Sequence, residues 1–291
     1  MTSLIDAHVH VWSPDRNRYP LAPGFEDGDL WLPSCTPHEH EAVAGSAVPL
    51  NLVQMTWYGL DHGYILDLID SDPDRFTGTG IVPAICDVSL PRPERTMREL
   101  AKGGIRCFRL RGRATQPHRE HPGEHWLAHE SYERMFACAA EHQLTLSFLC
   151  APADLAEIGH MCALFPETRV LLDHCGGVRI RNHTIDTGEL RELITLSELP
   201  EVRVKFGPIH GLGDDGSPFS DTLQLLRELT DAYGAERILW ESDLGGPLQM
   251  SDPEHDFRAC VDLVEHHADF LTTKQRQQIL GGNARRLLWS G

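Results

Sequence analysis

The chain has 291 residues, of which 41% are hydrophobic, so one large domain with a sizeable core is expected. Acidic residues outnumber basic ones by 43 to 26, and the net charge of −17 argues against nucleic acid or an anionic membrane as the partner. No apolar run reaches the roughly 20 residues of a membrane span, and no basic segment followed by an apolar one marks a secretory signal.

The first apolar run, IDAHVHVW at residues 5–12, alternates apolar and polar residues as a strand with two faces does. On such a strand Asp6, His8 and His10 share one face, and the two histidines lie about 6–7 Å apart along the chain. Two imidazoles at one strand end can meet a single metal ion or one reacting carbonyl group. The alternative is a strand whose polar face carries histidines with no further role.

Seven further strand-like runs follow, with amphipathic segments between them. Apolar residues at helical spacing occur in HGYILDLIDSDPDRF, SYERMFACAAEHQL, PADLAEIGHMCALFP and SDTLQLLRELTDAYG. Another helix is predicted to begin after Thr36, with Pro37 and Glu39 in its first turn, which leaves His38 and His40 on the surface. The eight candidate strands are Leu4–His10, Pro49–Met55, Gly78–Val82, Gly104–Leu110, Leu144–Cys150, Arg169–His174, Val202–Phe206 and Arg237–Asp243.

Alternating strands and helices predict parallel strands joined by crossovers, and eight such units predict an α/β fold, a closed (β/α)8 TIM barrel over residues 1–291. The alternative is an open doubly wound sheet, which usually has a glycine-rich loop after its first strand, where this chain reads HVHVWSPD. Irregular segments around residues 13–35 and 111–130 are long enough to be functional or mobile. The second contains His118, His121, His125 and His129, at no spacing typical of zinc, and is interpreted as an exposed polar segment.

Polar residues close five of the predicted strands, at the barrel end where sites of this fold form. Charged groups persist there only if they are paired, hydrogen-bonded or bound to metal. Because neighbouring strand residues face opposite sides, only one of Asp173 and His174 is expected to face the barrel, and His174 is favoured because it lies nearer the strand end. The candidates are His8 and His10, Arg109, Arg111 and Arg113, Asp173 and His174, Lys205 and His210, and Glu241 and Asp243.

This set of residues suits hydrolysis. The Asp243 carboxylate can take a proton from water as a general base. The histidines can bind a metal ion that polarises a carbonyl, or, without metal, charged donors can stabilise an oxyanion. Arg109 and Arg111 offer fork-shaped donors for a substrate carboxylate. Lys205 and His210 are the further substrate-binding candidates.

The motifs IDAHVHVWSPDRNRYPL, GGIRCFRLRG, LLDHCGG, WESDLGGP and ILGGNARRLL occur in this order along the chain. The set resembles the amidohydrolase superfamily, in its amidohydrolase 2 branch, and within it the sugar-lactone and 2-pyrone-4,6-dicarboxylate lactonases, which include L-fuconolactonase-like proteins. The resemblance implies that His8 and His10 are the strand-one pair and His174 the strand-six histidine. It also implies that Asp243 is the base toward water and that Arg109 binds a substrate carboxylate.

Two departures from that family pattern bear on cofactor and substrate. Strand five reads LTLSFLC and lacks the histidine or modified lysine of binuclear members. The resemblance therefore leaves two alternatives open. Either His8, His10 and Asp243 bind a single divalent ion, for which zinc is the first candidate, or the protein is active without a metal. Glu241 stands where the family usually has glycine. Three roles are open for it: an extra metal ligand, an extra acid or an ion-pair partner for Lys205.

The sequence predicts a hydrolase that opens the lactone ring of a sugar acid or small carboxylated metabolite. The alternatives are a metal-dependent amide hydrolase or decarboxylase on the same barrel, and a barrel that binds a ligand without catalysis. Eight scattered cysteines with no C-x-x-C pair predict reduced thiols and a cytoplasmic protein. A small-molecule substrate is expected, and the oligomeric state is left open.

Overall fold

The computed structural model describes residues 4–82, 92–112, 127 and 129–289. Within them, eight strands pair in parallel in chain order, and helices lie between them, as the sequence predicts for a (β/α)8 barrel. The barrel strands are β1 Asp6–His10, β2 Leu50–Val53, β3 Phe76–Gly80, β4 Ile105–Arg111, β5 Thr145–Leu149, β6 Arg169–Leu172, β7 Val202–Phe206 and β8 Ile238–Trp240. The helices are α1 Pro37–Ala44, α2 Gly63–Ser71, α3 Pro93–Lys102, α4 Glu130–Glu141, α5 Leu155–Leu164, α6 Thr187–Thr195, α7 Leu223–Tyr233, α8 Pro253–Asp262, α9 Thr273–Gln277 and α10 Asn283–Leu288.

The barrel closes between β1 and the residues that follow β8. Val9 pairs in parallel with Leu244. The backbone N–H of His10 donates to the carbonyl of Leu244 at 2.9 Å, and that of Asp243 donates to the carbonyl of His8 at 3.0 Å. This seam joins the two ends of the chain and sets the H-x-H pair beside Asp243.

Strand boundaries agree with the sequence prediction least where the chain leaves the barrel. β7 runs over Val202–Phe206 as predicted, whereas β6 ends at Leu172 and β8 at Trp240, two and three residues early. His174 takes a left-handed backbone conformation with φ of 52°, and Asp243 has φ of 55°. Both residues are therefore set by turns, because a strand cannot continue through a positive φ.

Two apolar layers hold the barrel together. One lies between the strands and the surrounding helices and contains most of the buried side chains. The other closes the amino-terminal end of the barrel, where Leu287 and Leu288 of α10 pack against Ile5 and Leu239. The opposite end, where the strands finish, is left for polar groups.

The first turn of α1 corrects the prediction for His40. Thr36 caps the helix as predicted, its side chain accepting from the Glu39 N–H, and His38 is exposed. His40, predicted to be a surface residue, is instead fully buried, with Nε2 3.0 Å from Asp6 Oδ2 and its ring edge on Phe257. It is one helical turn from Thr36, and that side of α1 packs on the barrel.

Asp6 does not share the face of His8 and His10, contrary to simple alternation. The pairing register of β1 shifts between Asp6 and Val9. Asp6 Oδ1 accepts from the backbone N–H of His8 at 3.2 Å and of Ser242 at 3.0 Å. This carboxylate therefore links β1 to the residues that follow β8. A strand irregularity of this kind re-aims side chains that period-two counting would put together.

The irregular segment at 13–35 is tied at its base by an antiparallel bridge between Trp12 and Cys35. Trp12, Trp31 and Trp57 pack edge to face above β1 and β2, with ring centroids 4.7–6.3 Å apart. The segment thereby carries Trp31 to the carboxyl end of the barrel. No helix in the described ranges is long and apolar enough to cross a bilayer, and the seven cysteines that lie in them are unpaired and buried.

Candidate active site

A cavity of about 280 Å³ lies at the carboxyl ends of the strands. It is smaller than the roughly 300–1,000 Å³ usual for drug-sized ligands, which suits a small substrate. Five residues that the sequence predicts for the site line the cavity, namely His10, Arg109, Arg111, His174 and Asp243.

His8, His10 and Asp243 converge on one point although the chain separates them by more than 230 residues. The two Nε2 atoms are 3.3 Å apart. Asp243 Oδ1 lies 3.5 Å from His8 Nε2 and 3.4 Å from His10 Nε2. His8 is fully buried and His10 and Asp243 nearly so. Asp243 therefore lies within contact distance of both histidines of β1, as the proposed roles of the three residues require.

The tautomer of His10 follows from its neighbour. His10 Nδ1 lies 3.1 Å from the carbonyl oxygen of Val53, which can only accept, so Nδ1 carries the proton. Burial, and then the Arg109 charge, hold the pKa of His10 well below its usual value, so the ring is neutral. Its Nε2 therefore presents a lone pair to the site.

Asp243 is a stronger base than an ordinary aspartate. Burial raises the pKa of its carboxyl to about 6, since His174 and Arg109 only partly offset the burial and Glu241 adds to it. Oδ1 is buried and accepts no hydrogen bond. A general base works best when its pKa lies near the working pH, so this carboxylate is suited to deprotonating water.

Gly246 makes room for the Asp243 carboxylate, and replacing it tests that position. A Cβ at residue 246 would lie 2.3 Å from Asp243 Oδ2. We expect Gly246→Ala to displace the carboxylate and to lower kcat by about 10²-fold, the usual loss when a reacting group moves by roughly 1 Å. Gly216→Ala is the control, because nothing lies within 4 Å of its added methyl. Full kcat in the Gly246 variant, measured with normal circular dichroism, would contradict the assignment.

The expectation that only one of Asp173 and His174 faces the barrel is wrong, although of the two only His174 lines the cavity. Asp173 is fully buried, and its carboxylate accepts from Ser147 Oγ at 2.6 Å and Arg109 Nε at 3.1 Å. His174, next in the chain, still lines the cavity. Strand alternation does not apply, because the left-handed turn at His174 rotates its side chain back toward the barrel axis.

His174 is held by Glu241, whose role the sequence leaves open. Glu241 Oε1 accepts from the backbone N–H of His174 at 3.1 Å and from its Nδ1–H at 2.7 Å. Burial lowers the pKa of His174, but the Glu241 and Asp243 carboxylates outweigh it, and the pKa is raised overall. The protonated ring is therefore favoured more than in a free histidine, and its Nε2 lies 3.4 Å from Arg109 Nη2. A substrate oxygen placed beside both nitrogens would have two nitrogen donors within reach.

Lys205 and His210 are away from the cavity wall. Lys205 is fully buried, with Nζ 2.9 Å from both Asp173 Oδ1 and His8 Nδ1. Burial lowers the pKa of Lys205, but the Asp173 and Glu241 carboxylates raise it by more than burial lowers it. The pKa is therefore raised overall, and the ammonium group stays charged. The His210 ring bonds the carbonyl of Leu248, which itself lines the cavity. Neither residue faces the space that a substrate would fill.

Arg179 and Gln54 line the cavity and escaped the sequence analysis. Arg179 follows HCGG by two residues, and the left-handed turn through Gly176 and Gly177 brings it to the wall. Its position next to the strand-six motif is the one feature of the sequence that could have indicated a place in the site. With Arg109 and Arg111 it makes three guanidinium groups around one small space. Burial, and then the like charge of Arg109, lower the pKa of Arg111.

A model of the family described as Amidohydrolase matches residues 5–288. The chain belongs to the amidohydrolase family. None of the curated proteins searched matches it.

Solved structures agree with this amidohydrolase in fold. A probable 2-pyrone-4,6-dicarboxylic acid hydrolase from Acinetobacter baumannii, with citric acid bound, is 16% identical over 98% of this chain and 99% of its own, with a TM-score of 0.74. A Pseudomonas putida protein with a similar provisional description is 24% identical over 99% and 98%, with a TM-score of 0.71. A zinc-bound amidohydrolase from Burkholderia multivorans is 20% identical over 98% of each chain, with a TM-score of 0.72.

The triangle of His8, His10 and Asp243 has the dimensions that one divalent ion requires in this amidohydrolase. Its edges of 3.3–3.5 Å match the separation of neighbouring ligands around tetrahedral zinc, given Zn–N bonds of about 2.0–2.1 Å. The unpartnered Asp243 Oδ1 and the His10 lone pair both suit it. His8 fits in only one of its two tautomers, because Lys205 and Glu241 both approach its Nδ1.

Part of the predicted loop lies outside the described residues. Arg113, His118, His121 and His125 fall there. His129 is described and begins α4, where its Nδ1 accepts from the backbone N–H of Ser131 at 3.2 Å. It is therefore a helix cap.

Proposed function

We propose that this amidohydrolase opens the lactone ring of a small carboxylated compound such as a sugar acid. One observation carries the proposal: a buried carboxylate of raised pKa, Asp243, faces a small cavity bordered by three arginines. The carboxylate supplies the base for water, and the arginines supply the affinity for an anionic substrate. Hydrolysis is supported by the family, and the lactone ester is the part that we infer.

In the proposed mechanism, Asp243 takes a proton from water as the oxygen attacks the lactone carbonyl. Charge develops on the carbonyl oxygen, and the imidazolium of His174 donates to it together with Arg109. When the ring C–O bond breaks, the proton held by Asp243 passes to the leaving alkoxide. The product is a hydroxy acid, and Asp243 returns to its carboxylate form.

A carboxylate remote from the reacting carbonyl would bind Arg111 and Arg179. Guanidinium groups bind carboxylates by two parallel hydrogen bonds, which orients the ring as well as holding it. A divalent ion, if bound, would be held by His8, His10 and Asp243 and would polarise the carbonyl and acidify water.

Substrate profiling tests the proposed function. The purified protein is assayed against aldonolactones and pyrone or muconate lactones, with the corresponding amides and aromatic carboxylic acids alongside, each with and without chelator. We expect turnover confined to lactones and fastest for those that carry a carboxylate. Turnover of amides alone, or release of carbon dioxide, would overturn the proposal. No turnover of any compound, with measurable ligand binding, would favour a barrel without catalysis.

The pH profile gives a second test. Asp243 must be ionised to act as a base, and its pKa is raised to about 6. In chelator-treated enzyme we expect kcat/KM to fall tenfold per pH unit below about 6, and to fall again on the alkaline side where His174 loses the proton that it donates. An ordinary aspartate would place this limb near pH 4. A profile that is flat down to pH 4.5 would mean that the base does not have the raised pKa assigned to Asp243.

A further inference from the structure

The Nδ1 atom of His8 has two polar neighbours that make opposite demands. Lys205 Nζ lies 2.9 Å away in hydrogen-bonding geometry. Glu241 Oε2 is buried and lies 3.1 Å away, but it forms no hydrogen bond; its other charged neighbour is Lys205 Nζ at 3.8 Å. An ammonium group can only donate, whereas a carboxylate can only accept. Of the two neighbours, only Lys205 has hydrogen-bonding geometry, so Lys205 donates to Nδ1 and Nδ1 carries a lone pair.

The position of the remaining proton follows. A histidine ring that accepts a hydrogen bond at Nδ1 is neutral and has a single proton. With Nδ1 accepting from Lys205, that proton is on Nε2. It faces His10 Nε2 at 3.3 Å, which has the lone pair to receive it, and Asp243 Oδ1 at 3.5 Å.

This proton occupies the direction in which a metal ion would bind. A metal-binding histidine must present a lone pair, and its other nitrogen then donates to a carboxylate or carbonyl. His10 meets that condition through Val53. His8 would meet it only with its proton on Nδ1, directed at Glu241 Oε2, and Lys205 opposes that arrangement.

We propose that Lys205 is a positioning residue that keeps the proton of His8 on Nε2, so that the strand-one pair acts as a hydrogen-bond donor and acceptor and resists zinc. Removing the ammonium group frees Nδ1 to donate to Glu241 and turns the same three residues into a zinc site. The inference concerns metal affinity, and it stands or fails independently of which substrate is hydrolysed.

The test compares zinc binding by the wild type, Lys205→Met and Arg109→Met, each at pH 7.5 after chelator treatment and dialysis. Zinc affinity is measured by competition with a chromophoric chelator, and retained metal by elemental analysis. Both variants remove one positive charge that pairs with Asp173. Only Lys205→Met also frees His8 Nδ1. We expect Lys205→Met to bind one zinc at least tenfold more tightly than Arg109→Met and the wild type. Equal gains in the two variants would mean that charge alone acts, and no gain in Lys205→Met would refute the proposal.

A measurement on the wild type covers the case in which Lys205→Met does not fold. Nitrogen-15 NMR of histidine-labelled, metal-free protein distinguishes protonated from unprotonated ring nitrogens, and a His8→Gln variant identifies the His8 signals. We expect Nε2 protonated and Nδ1 unprotonated. The opposite pattern, or stoichiometric zinc retained by the wild type after dialysis against chelator, would overturn the proposal.

Discussion

Asp243→Asn is expected to lower kcat for lactone hydrolysis by about 10²–10⁴-fold, the usual contribution of a positioned general base. Asparagine keeps the shape of the side chain but cannot take a proton from water. The measurement is kcat on the best lactone of the panel, with Asp252→Asn as the control, since Asp252 caps α8 outside the cavity. Full activity in Asp243→Asn would remove the base from the mechanism.

The same variant should be more stable than the wild type, which separates loss of chemistry from loss of structure. The folded protein raises the pKa of Asp243 to about 6, so above that pH the fold bears an unfavourable buried charge. A raised acid pKa stabilises the fold at low pH and loses that contribution as pH rises through the folded value. With about 1.4 kcal/mol per pKa unit, Asp243→Asn should gain about 3 kcal/mol at pH 8 and nothing near pH 4. Urea unfolding of metal-free protein at both pH values measures this, and equal stabilities throughout would contradict it.

Arg111→Met is expected to lower kcat/KM about 10–100-fold for carboxylated lactones and to leave uncharged lactones nearly unaffected. A hydrogen bond to a charged group contributes about 1.5–3 kcal/mol, which corresponds to that range. Each variant is assayed on a matched pair of lactones with and without the carboxylate. Arg106→Met is the control, because Arg106 lies on the same strand, β4, but borders a different surface pocket.

The outcome for Arg111 has a clear alternative. Equal losses on the two lactones would mean that Arg111 maintains the cavity wall without recognising a substrate carboxylate. Arg179→Met then becomes the variant that tests for an anion subsite, since Arg179 lines the same cavity and is exposed.

The strands, their order and the barrel could be predicted from the sequence because each depends on local patterns. Eight apolar runs of four to seven residues separated by amphipathic segments are compatible with few folds other than a parallel barrel. The site end was predictable for the same reason, since polar residues at strand ends must meet there. His8, His10, His174, Arg109 and Asp243 were found in this way.

The features that the sequence did not predict lie where the backbone departs from regular geometry. The left-handed turn after β6 brings His174 inward beside Asp173 and carries Arg179 to the wall. The register shift in β1 separates Asp6 from His8 and lets Asp6 pair with His40. Counting by two along a strand cannot detect either feature, because both are decided by contacts with distant segments.

The sequence by itself determined the repeating units, the family and the residue types available for chemistry, because these follow from local periodicity and ordered motifs. Tertiary structure alone decided which of them act together. The seam between β1 and the residues after β8 sets Asp243 against His8 and His10. Lys205 was expected from the sequence to bind substrate, but closure of the barrel instead brings its ammonium group within 2.9 Å of the His8 ring, 197 residues away along the chain.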